Sequence, residues 1–411
     1  MRQYSLLIIF LFLISIFSLG IKTNVGSTIE NSMIQSEYDF SKLYLIQDPL
    51  QAKPALLFEG DALNITIKAN TTIEVYKTQL RNSNTSINLN ISNSMIEIDE
   101  NGLGIIQCSK NNSIPAGLYN LYINTSSGED FTWNSVQFYE NVPEMFKVVH
   151  ISDTHIGIPD YNALDDLKKI VSQINELNAQ FVIHTGDLVD GDSDPEIQLN
   201  QIKEAMTVLA NLTIPLFIIT GNHDYFPNLN NWKKYISPYL NSSFVFSNHL
   251  FLTLSIENND GFSVDQINWF RNKLEKYSKF EISLCYHTDY RKQLINLHGD
   301  IHLFGHEHNS KISNVGFIKI QTGNTYYMSD KEPSEYRILL YNKTGIENST
   351  LIKNYQNSDK IELLEEKIPV YVPIETSSSS KITDNVSYDF YYLIILPISV
   401  IFIIRKQKSK Q

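Results

Sequence analysis

Five short apolar runs in this chain of 411 residues each end in a cluster of acidic, amide and imidazole side chains. Between residues 146 and 308 they read FKVVHISDTH, FVIHTGDLVD, LFIITGNHDY, ISLCYHTD and IHLFGHEH. Continuous apolar runs of this length are typical of buried strands, and open α/β sheets bind ligands beyond the carboxyl ends of their strands. We therefore expect an α/β domain whose five strand ends converge on one site.

Amphipathic segments separate these runs, as an α/β domain requires. The apolar residues of segment 164–177 fall on one helical face. A second helix is predicted to begin at Pro195 and a third at Ser263, where Gln266 completes a capping box. With YRILLYN as a closing strand, we assign the α/β domain to residues 145–345.

The polar groups at the five strand ends are of the types that bind divalent metals. They are Asp153, His155, Asp187, Asn222, His223, His287, His306 and His308. Carboxylate, imidazole and amide oxygen without thiolate suit Mn, Fe or Zn, and the groups outnumber the ligands of one tetrahedral ion. We therefore expect two divalent ions. Such a pair can clamp a phosphoryl oxygen and lower the pKa of a bridging water, so that hydroxide attacks phosphorus.

The pair His306 and His308 shows why partners elsewhere in the chain matter. Alternation along an extended chain would send both imidazoles to the same side, where they could reach one cluster. Taken alone, such a pair is more often a solvated strand end than a metal site. The interpretation therefore depends on the other four strand ends.

The motifs DTH, GDLVD, GNHD, a lone histidine and GHEH, in this order, resemble the motif series of the calcineurin-like metallophosphoesterases. The resemblance covers residues 146–336, roughly half of the chain. It implies a four-layer fold in which two packed mixed β-sheets are flanked by helices. It also implies seven metal ligands: Asp153, His155 and His308 on one ion, Asn222, His287 and His306 on the other, and Asp187 bridging both.

His223 and Asp224 are the predicted catalytic residues. The resemblance implies that His223 touches substrate rather than metal. The departing alkoxide of a phosphate ester needs a proton or a positive charge, and an imidazole held by Asp224 can supply either. Asp190 could accept an N–H from a ligand histidine or could be a solvated loop carboxylate. It stands where purple acid phosphatases would have a tyrosine ligand, which argues against an iron–tyrosinate centre.

Residues 38–140 follow a different pattern. Short alternating segments such as ALNITIKA and TIEVYKT are separated by Asn, Ser and Gly, without a helical period. This is typical of a β-sandwich. We therefore predict an all-β sandwich domain of the immunoglobulin or fibronectin type before the α/β domain.

Both ends of the chain predict attachment to a membrane. Residues 1–23 have the pattern of a signal peptide, with an uncleaved anchor as the alternative. Residues 390–404 are predicted to form a transmembrane helix, with a hydrophobic tail docked on the protein as the alternative. The basic tail 405–411 is then cytoplasmic, and residues 359–389, rich in charge, Pro and Ser, predict a disordered stalk. The catalytic domain of this single-pass cell-membrane protein would lie outside the cytoplasm.

Composition narrows the classes of partner. The net charge of −12 argues against nucleic acid, because its binding draws on Lys and Arg. Two distant cysteines exclude a disulfide framework. Numerous Asn-x-Ser/Thr sites are consistent with a glycoprotein outside the cell. The sequence specifies no oligomeric state.

We therefore predict a membrane-anchored, metal-dependent hydrolase that acts on phosphate mono- or diesters. Two alternatives belong to other classes. One is a cell-surface binding or adhesion protein with an inactive phosphoesterase domain, and the other is a nuclease. Specificity resides in loops, so the sequence does not name the substrate or the metals.

Overall fold

The structure is a computed structural model that describes residues 38–109, 114–255, 262–288, 299–329, 331–356 and 361–369. All of these residues belong to one compact unit. The predicted signal peptide, transmembrane helix and basic tail lie outside the described residues. Within the described ranges, no helix is long and apolar enough to cross a membrane.

The N-terminal part folds entirely into strands. These are β1 (Ile46–Asp48), β2 (Ala55–Leu57), β3 (Leu63–Lys68), β4 (Ile73–Arg81), β5 (Ser86–Asn88), β6 (Asn90–Ile91), β7 (Met95–Ile96), β8 (Leu103–Ser109), β9 (Gly117–Thr125) and β10 (Gly128–Phe138). One sheet has the order β1-β3-β8-β6 and the other β2-β10-β9-β4-β5, with β7 on β4. Both sheets contribute to one apolar core. Strands thus form where they were predicted, whereas kinship with immunoglobulin or fibronectin domains stays a prediction.

The remaining part alternates strands and helices. Its strands are β11 (Phe146–Ile151), β12 (Phe181–His184), β13 (Leu216–Ile218), β14 (Asn241–Phe246), β15 (His249–Leu254), β16 (Glu281–Tyr286), β17 (Ile301–Phe304), β18 (Lys311–Asn314), β19 (Ile318–Gln321), β20 (Ser334–Asn342), β21 (Gly345–Asn354) and β22 (Ile361–Glu366). Its helices are α1 (Ala163–Glu176), α2 (Pro195–Leu209), α3 (Asn230–Tyr235) and α4 (Val264–Lys276).

These strands form two mixed sheets. The first has the order β13-β12-β11-β20-β21-β22, and the second has the order β14-β15-β16-β17-β19-β18. Strands β11, β12 and β13 run parallel to one another, as do β15, β16, β17 and β19. The five apolar runs are therefore divided between two sheets, three in the first and two in the second. The mixed α/β architecture predicted from the sequence is confirmed.

Layers of apolar side chains hold the two sheets and the helices together. Phe146 and Phe181 of the first sheet share a core with Phe251 and Leu303 of the second. Helices α1 and α2 pack with residues of the first sheet in a separate core. Helix α4 packs through Phe270 on the second sheet. The strand ends are thereby fixed between two helical layers.

Local signals set the starts of two helices. Asp194 caps α2 by accepting a hydrogen bond from Glu196 N, and Pro195 occupies the first turn. Ser263 caps α4, and its capping box with Gln266 is complete. Both starts agree with the sequence prediction, because capping depends on residues that are neighbours in the chain.

The first sheet extends beyond the predicted end of the domain at residue 345. Strand β21 pairs with β20, and β22 pairs with β21 along its whole length, both antiparallel. The prediction of a disordered stalk over 359–389 is therefore wrong for residues 361–366. Main-chain hydrogen bonds to an open sheet edge order this strand although most of its side chains are exposed. The rest of the predicted stalk lies almost entirely outside the described residues.

Candidate metal centre

The predicted ligands lie in loops that follow the strands, and their backbone is unusual. Five of them have positive φ angles: Asp153 at 52°, His155 at 46°, Asp187 at 52°, His306 at 77° and His308 at 51°. Residues other than glycine rarely adopt this conformation, and it costs free energy. Since such strain clusters at functional sites, these loops have the backbone of a binding centre. The extended conformation expected for His306 and His308 is wrong, because β17 ends at Phe304.

One group of candidate ligands consists of Asp153, His155 and His308. Their ligand atoms all lie within 4.8 Å of one another. The Nε2 atoms of the two histidines are 3.1 Å apart, and Nε2 of His308 is 3.6 Å from Oδ1 of Asp153. Asp153 is fully buried and accepts hydrogen bonds from the backbone N–H of His306. The three side chains thus face one small volume.

A second group consists of Asp187, His287 and His306, again with all ligand atoms within 4.8 Å. His287 is fully buried, and its Nδ1 lies 2.8 Å from the carbonyl oxygen of Thr185. A carbonyl can only accept, so Nδ1 carries the proton and the lone pair of the neutral ring is on Nε2. That Nε2 atom lies 3.0 Å from Oδ2 of Asp187. The ring is oriented for ligation.

Asp187 lies between the two groups. Its Oδ2 is 3.0 Å from Nε2 of His287 in the second group and 3.6 Å from Nε2 of His155 in the first. Its Oδ1 accepts a hydrogen bond of 2.9 Å from the backbone N–H of His223. Burial alone would raise the pKa of Asp187, but the neighbouring histidines hold it below its usual range. The carboxylate is therefore charged and central.

Asn222 completes the set of predicted ligands. Its Oδ1 atom is buried and has no hydrogen-bond partner in the described part of the chain. A buried amide oxygen without a partner is costly, and coordination of a cation would satisfy it. This orphaned atom, together with the tautomer of His287, fits a site for divalent metals.

Glycines allow the ligand loops to approach one another. A Cβ atom on Gly221 would lie 2.1 Å from Oδ1 of Asp187, and one on Gly305 would lie 2.2 Å from Oδ2 of Asp153. Gly186 has a φ of 98° and abuts the backbone of Gly221. Any larger residue at these positions would have to displace a ligand.

His223 reaches the centre, but its hydrogen-bond partner differs from the predicted one. Its Nδ1 lies 2.7 Å from the carbonyl oxygen of Asp190 and 3.5 Å from the Asp190 carboxylate. Asp190 Oδ1 is also 3.4 Å from Nδ1 of His155. Asp190 therefore orients two histidines at once. His223 also falls in a possible ligand group with His155 and Asp187.

The predicted role of Asp224 in holding His223 is wrong. Asp224 is fully buried, and its two oxygens accept hydrogen bonds from the backbone N–H groups of Val189 at 3.1 Å and Gly221 at 2.8 Å. Burial, followed by the nearby charge of Asp187, raises the pKa of Asp224 to about 7. Both oxygens of Asp224 are therefore hydrogen-bonded to backbone N–H groups rather than to His223. Through these hydrogen bonds Asp224 links the loop after β12 to the loop after β13.

Two residues outside the predicted set of ligands and catalytic residues support the centre. The hydroxyl group of Tyr326 lies 3.5 Å from Nδ1 of His308, and its ring packs against His155. The ring of His184 is hydrogen-bonded through Nε2 to the hydroxyl group of Thr154, in the loop after β11. Its Nδ1 accepts a hydrogen bond from the backbone N–H of Gly186. Tyr326 follows β19, which ends at the same edge of the second sheet as β16 and β17. This position after a strand is the only sequence signal that could have indicated Tyr326.

The fold and the clustered ligands define a class, the metal-binding phosphoesterases with two mixed sheets between helices. Within that class, residues 146–310 match the family described as calcineurin-like phosphoesterase. Residues 146–310 are therefore similar to calcineurin-like phosphoesterases, over less than half of the chain.

The chain is also similar to individual known proteins. A DNA double-strand break repair protein Mre11 from Methanococcus maripaludis is 25% identical over 176 residues, which are 38% of this chain and 44% of that protein. A probable glycerophosphodiester phosphodiesterase, GpdQ, from Arcobacter nitrofigilis is 30% identical over 162 residues, 34% of this chain and 56% of that protein. The chain thus spans about half the length of these relatives.

Solved structures also resemble the chain. A purple acid phosphatase from yellow lupin (Lupinus luteus) seeds aligns with 79% of this chain and 76% of its own, at 11% identity and a TM-score of 0.48.

Proposed function

We propose that this protein is a phosphoesterase that uses two divalent ions, Mn, Fe or Zn, to hydrolyse phosphate mono- or diesters. The observation that carries the proposal is the position of Asp187 between two groups of histidines. Asp153, His155 and His308 would hold one ion, and Asn222, His287 and His306 the other, with Asp187 shared. Bound divalent ions supply positive charge to the phosphoryl oxygens.

His223 supplies the proton for the departing alcohol in this proposal. Because the carbonyl oxygen of Asp190 can only accept, Nδ1 of His223 carries a hydrogen, and the exchangeable proton is on Nε2. The His223 side chain is 39% exposed. The ring therefore combines a fixed orientation with access to a bound ester, which a general acid requires.

Metal analysis together with a hydrolysis assay tests the proposal. Full-length protein purified in detergent, and supplied with Mn, Fe or Zn, should retain bound metal and hydrolyse an aryl phosphate mono- or diester. Asp187→Asn should lose both, because an amide cannot supply the shared negative charge. Asp265→Asn makes the same chemical change at an exposed position in the first turn of α4 and should lose neither. A protein without metal and activity under all three supplies would contradict the proposal.

The proposal includes a location, a single-pass protein of the cell membrane with its catalytic domain outside the cytoplasm. It is supported by the apolar segments at both ends and by the basic residues 405–411. In intact cells, an epitope placed after Gln411 should be reached by antibody only after permeabilisation, whereas the phosphoesterase domain should be reached before it. The reverse accessibility would overturn the orientation.

A further inference from the structure

An open cleft adjoins the candidate metal centre on the side of His223. Two loops form it: residues 190–193, which follow β12, and residues 222–226, which follow β13. Asn222 and His223 belong both to the cleft and to the metal centre. A group in the cleft would therefore be adjacent to a phosphoryl group at the metals, on the side from which His223 can deliver its proton.

Phe226 presents an aromatic ring to this cleft. The residue is 52% exposed although phenylalanine is usually buried. Its backbone is fixed on both sides, since its N–H donates to His223 O at 3.0 Å and its carbonyl oxygen accepts from Gln198 Nε2 at 2.8 Å. Gln198 is fully buried and also donates to Asp224 O. The exposed ring is thus held by a constrained backbone.

The opposite loop is constrained in the same way. The backbone N–H of Gly191 donates to Oε1 of Gln201 at 3.0 Å. A Cβ atom on Gly191 would lie 2.6 Å from His223 O and 3.4 Å from Cβ of Phe226, so the two loops touch through their backbones. Both glutamines come from α2. The shape of the cleft is therefore set before any ligand arrives, which lowers the entropic cost of binding.

The chemistry of the walls is aromatic on one side and acidic on the other. Tyr225 and Phe226 lie on one loop, and Asp190 and Asp192 on the other. The described residues that line the cleft include neither lysine nor arginine. Carboxylates disfavour a second negative charge in the ligand, whereas an exposed ring favours a flat partner with which it can stack.

We propose that this cleft binds the alcohol portion of the phosphate ester and selects an uncharged alcohol that carries a ring, which stacks on Phe226. This inference rests on the proposed function, because it places the scissile phosphate at the metal centre. We assign the alcohol portion to the cleft because the cleft is continuous with the metal centre. It begins at the residues that would face the departing oxygen of the ester.

A matched pair of substrates tests the inference. Benzyl phosphate and ethyl phosphate both release a primary alcohol, so the ratio of their kcat/KM values reports the ring rather than leaving-group acidity. We expect benzyl phosphate to be favoured about tenfold, the size of a stacking contribution. Phe226→Ala should bring the ratio close to one and Phe226→Tyr should keep it. Tyr76→Ala removes a similarly exposed ring from β4, outside the cleft, and should leave the ratio unchanged.

Binding and charge supply independent readouts. Calorimetry on the full-length protein should show tighter binding of benzylphosphonate than of ethylphosphonate, and Phe226→Ala should remove the difference. A carboxylate on the benzyl ring should weaken binding relative to a carboxamide of similar size, and Asp192→Asn should narrow that gap. Equal affinities of benzyl- and ethylphosphonate would overturn this inference. Failure of all esters to react would instead count against the proposed function. The affinities of the two phosphonates would still test whether the cleft binds a ring.

Discussion

The Nε2 atom of His287 lies 3.0 Å from Oδ2 of Asp187, and both side chains are buried at the meeting point of the two sheets. Burial alone would lower the pKa of His287, but the charge and hydrogen bond of Asp187 outweigh it and raise that pKa to about 9. Without metal, the ring therefore holds a proton on the atom that a cation would need. Protons and metal compete for one nitrogen.

This competition predicts that metal stabilises the protein more as the pH rises. The folded-state pKa of His287 lies above the unfolded value of about 6.5, so the metal-free protein has the full contribution of this pair below pH 6.5 and loses it towards pH 9. Over the same pH window the protonated fraction of His287 falls, so metal binding has to displace fewer protons. The increase in Tm caused by a fixed Mn concentration should grow from pH 6.5 to 8.5. A constant or shrinking increase would contradict the competition.

Gly221→Ala should weaken metal binding without unfolding the protein. The new Cβ atom would lie 2.1 Å from Oδ1 of Asp187 and 2.5 Å from its backbone N, so the carboxylate and its loop must shift. We expect metal affinity, measured by competition with a chelator, to fall at least about tenfold. Gly60→Ala is the control, because its φ of 90° makes alanine strained but nothing lies within 4 Å of the added atom. That variant should lose stability and keep its metal affinity.

His223→Gln should retain the metals and lose proton donation. The expected loss in kcat is about 100-fold or more for alcohols that leave poorly and much smaller for nitrophenol. A series of aryl and alkyl phosphates measures this as a steeper dependence of rate on leaving-group pKa. An equal loss across the series would argue against the proton donor, and loss of metal would instead make His223 a ligand.

Asp190→Asn and Asp224→Asn should separate orientation from loop support. Asp190 lies beside both His223 and His155, so Asp190→Asn should alter the dependence of rate on leaving-group pKa.

In Asp224→Asn an amide donor would face a backbone N–H donor, which we expect to reduce the free energy of unfolding by about 1–3 kcal/mol. Denaturant titration and the ester series check both. A normal unfolding free energy in Asp224→Asn would contradict the support role.

Much of the α/β fold could be predicted because its signals are local. The apolar runs became β11, β12, β13, β16 and β17, and the starts of α2 and α4 follow from caps at Asp194 and Ser263. Strands β21 and β22 were missed. Pairing with the preceding strand β21 orders β22, and the composition of residues 361–366 does not contain that information.

The sequence by itself determined which side chains are available for metal chemistry, because residue type and position after a strand are properties of neighbouring residues. Only the tertiary structure divided the five strand ends between two sheets and turned Asp224 from His223 towards the backbone of Val189 and Gly221. It also brought Tyr326 to His308. Hydrogen-bond partners and close packing depend on residues far apart in the chain, and their choice is made when the sheets and loops come together.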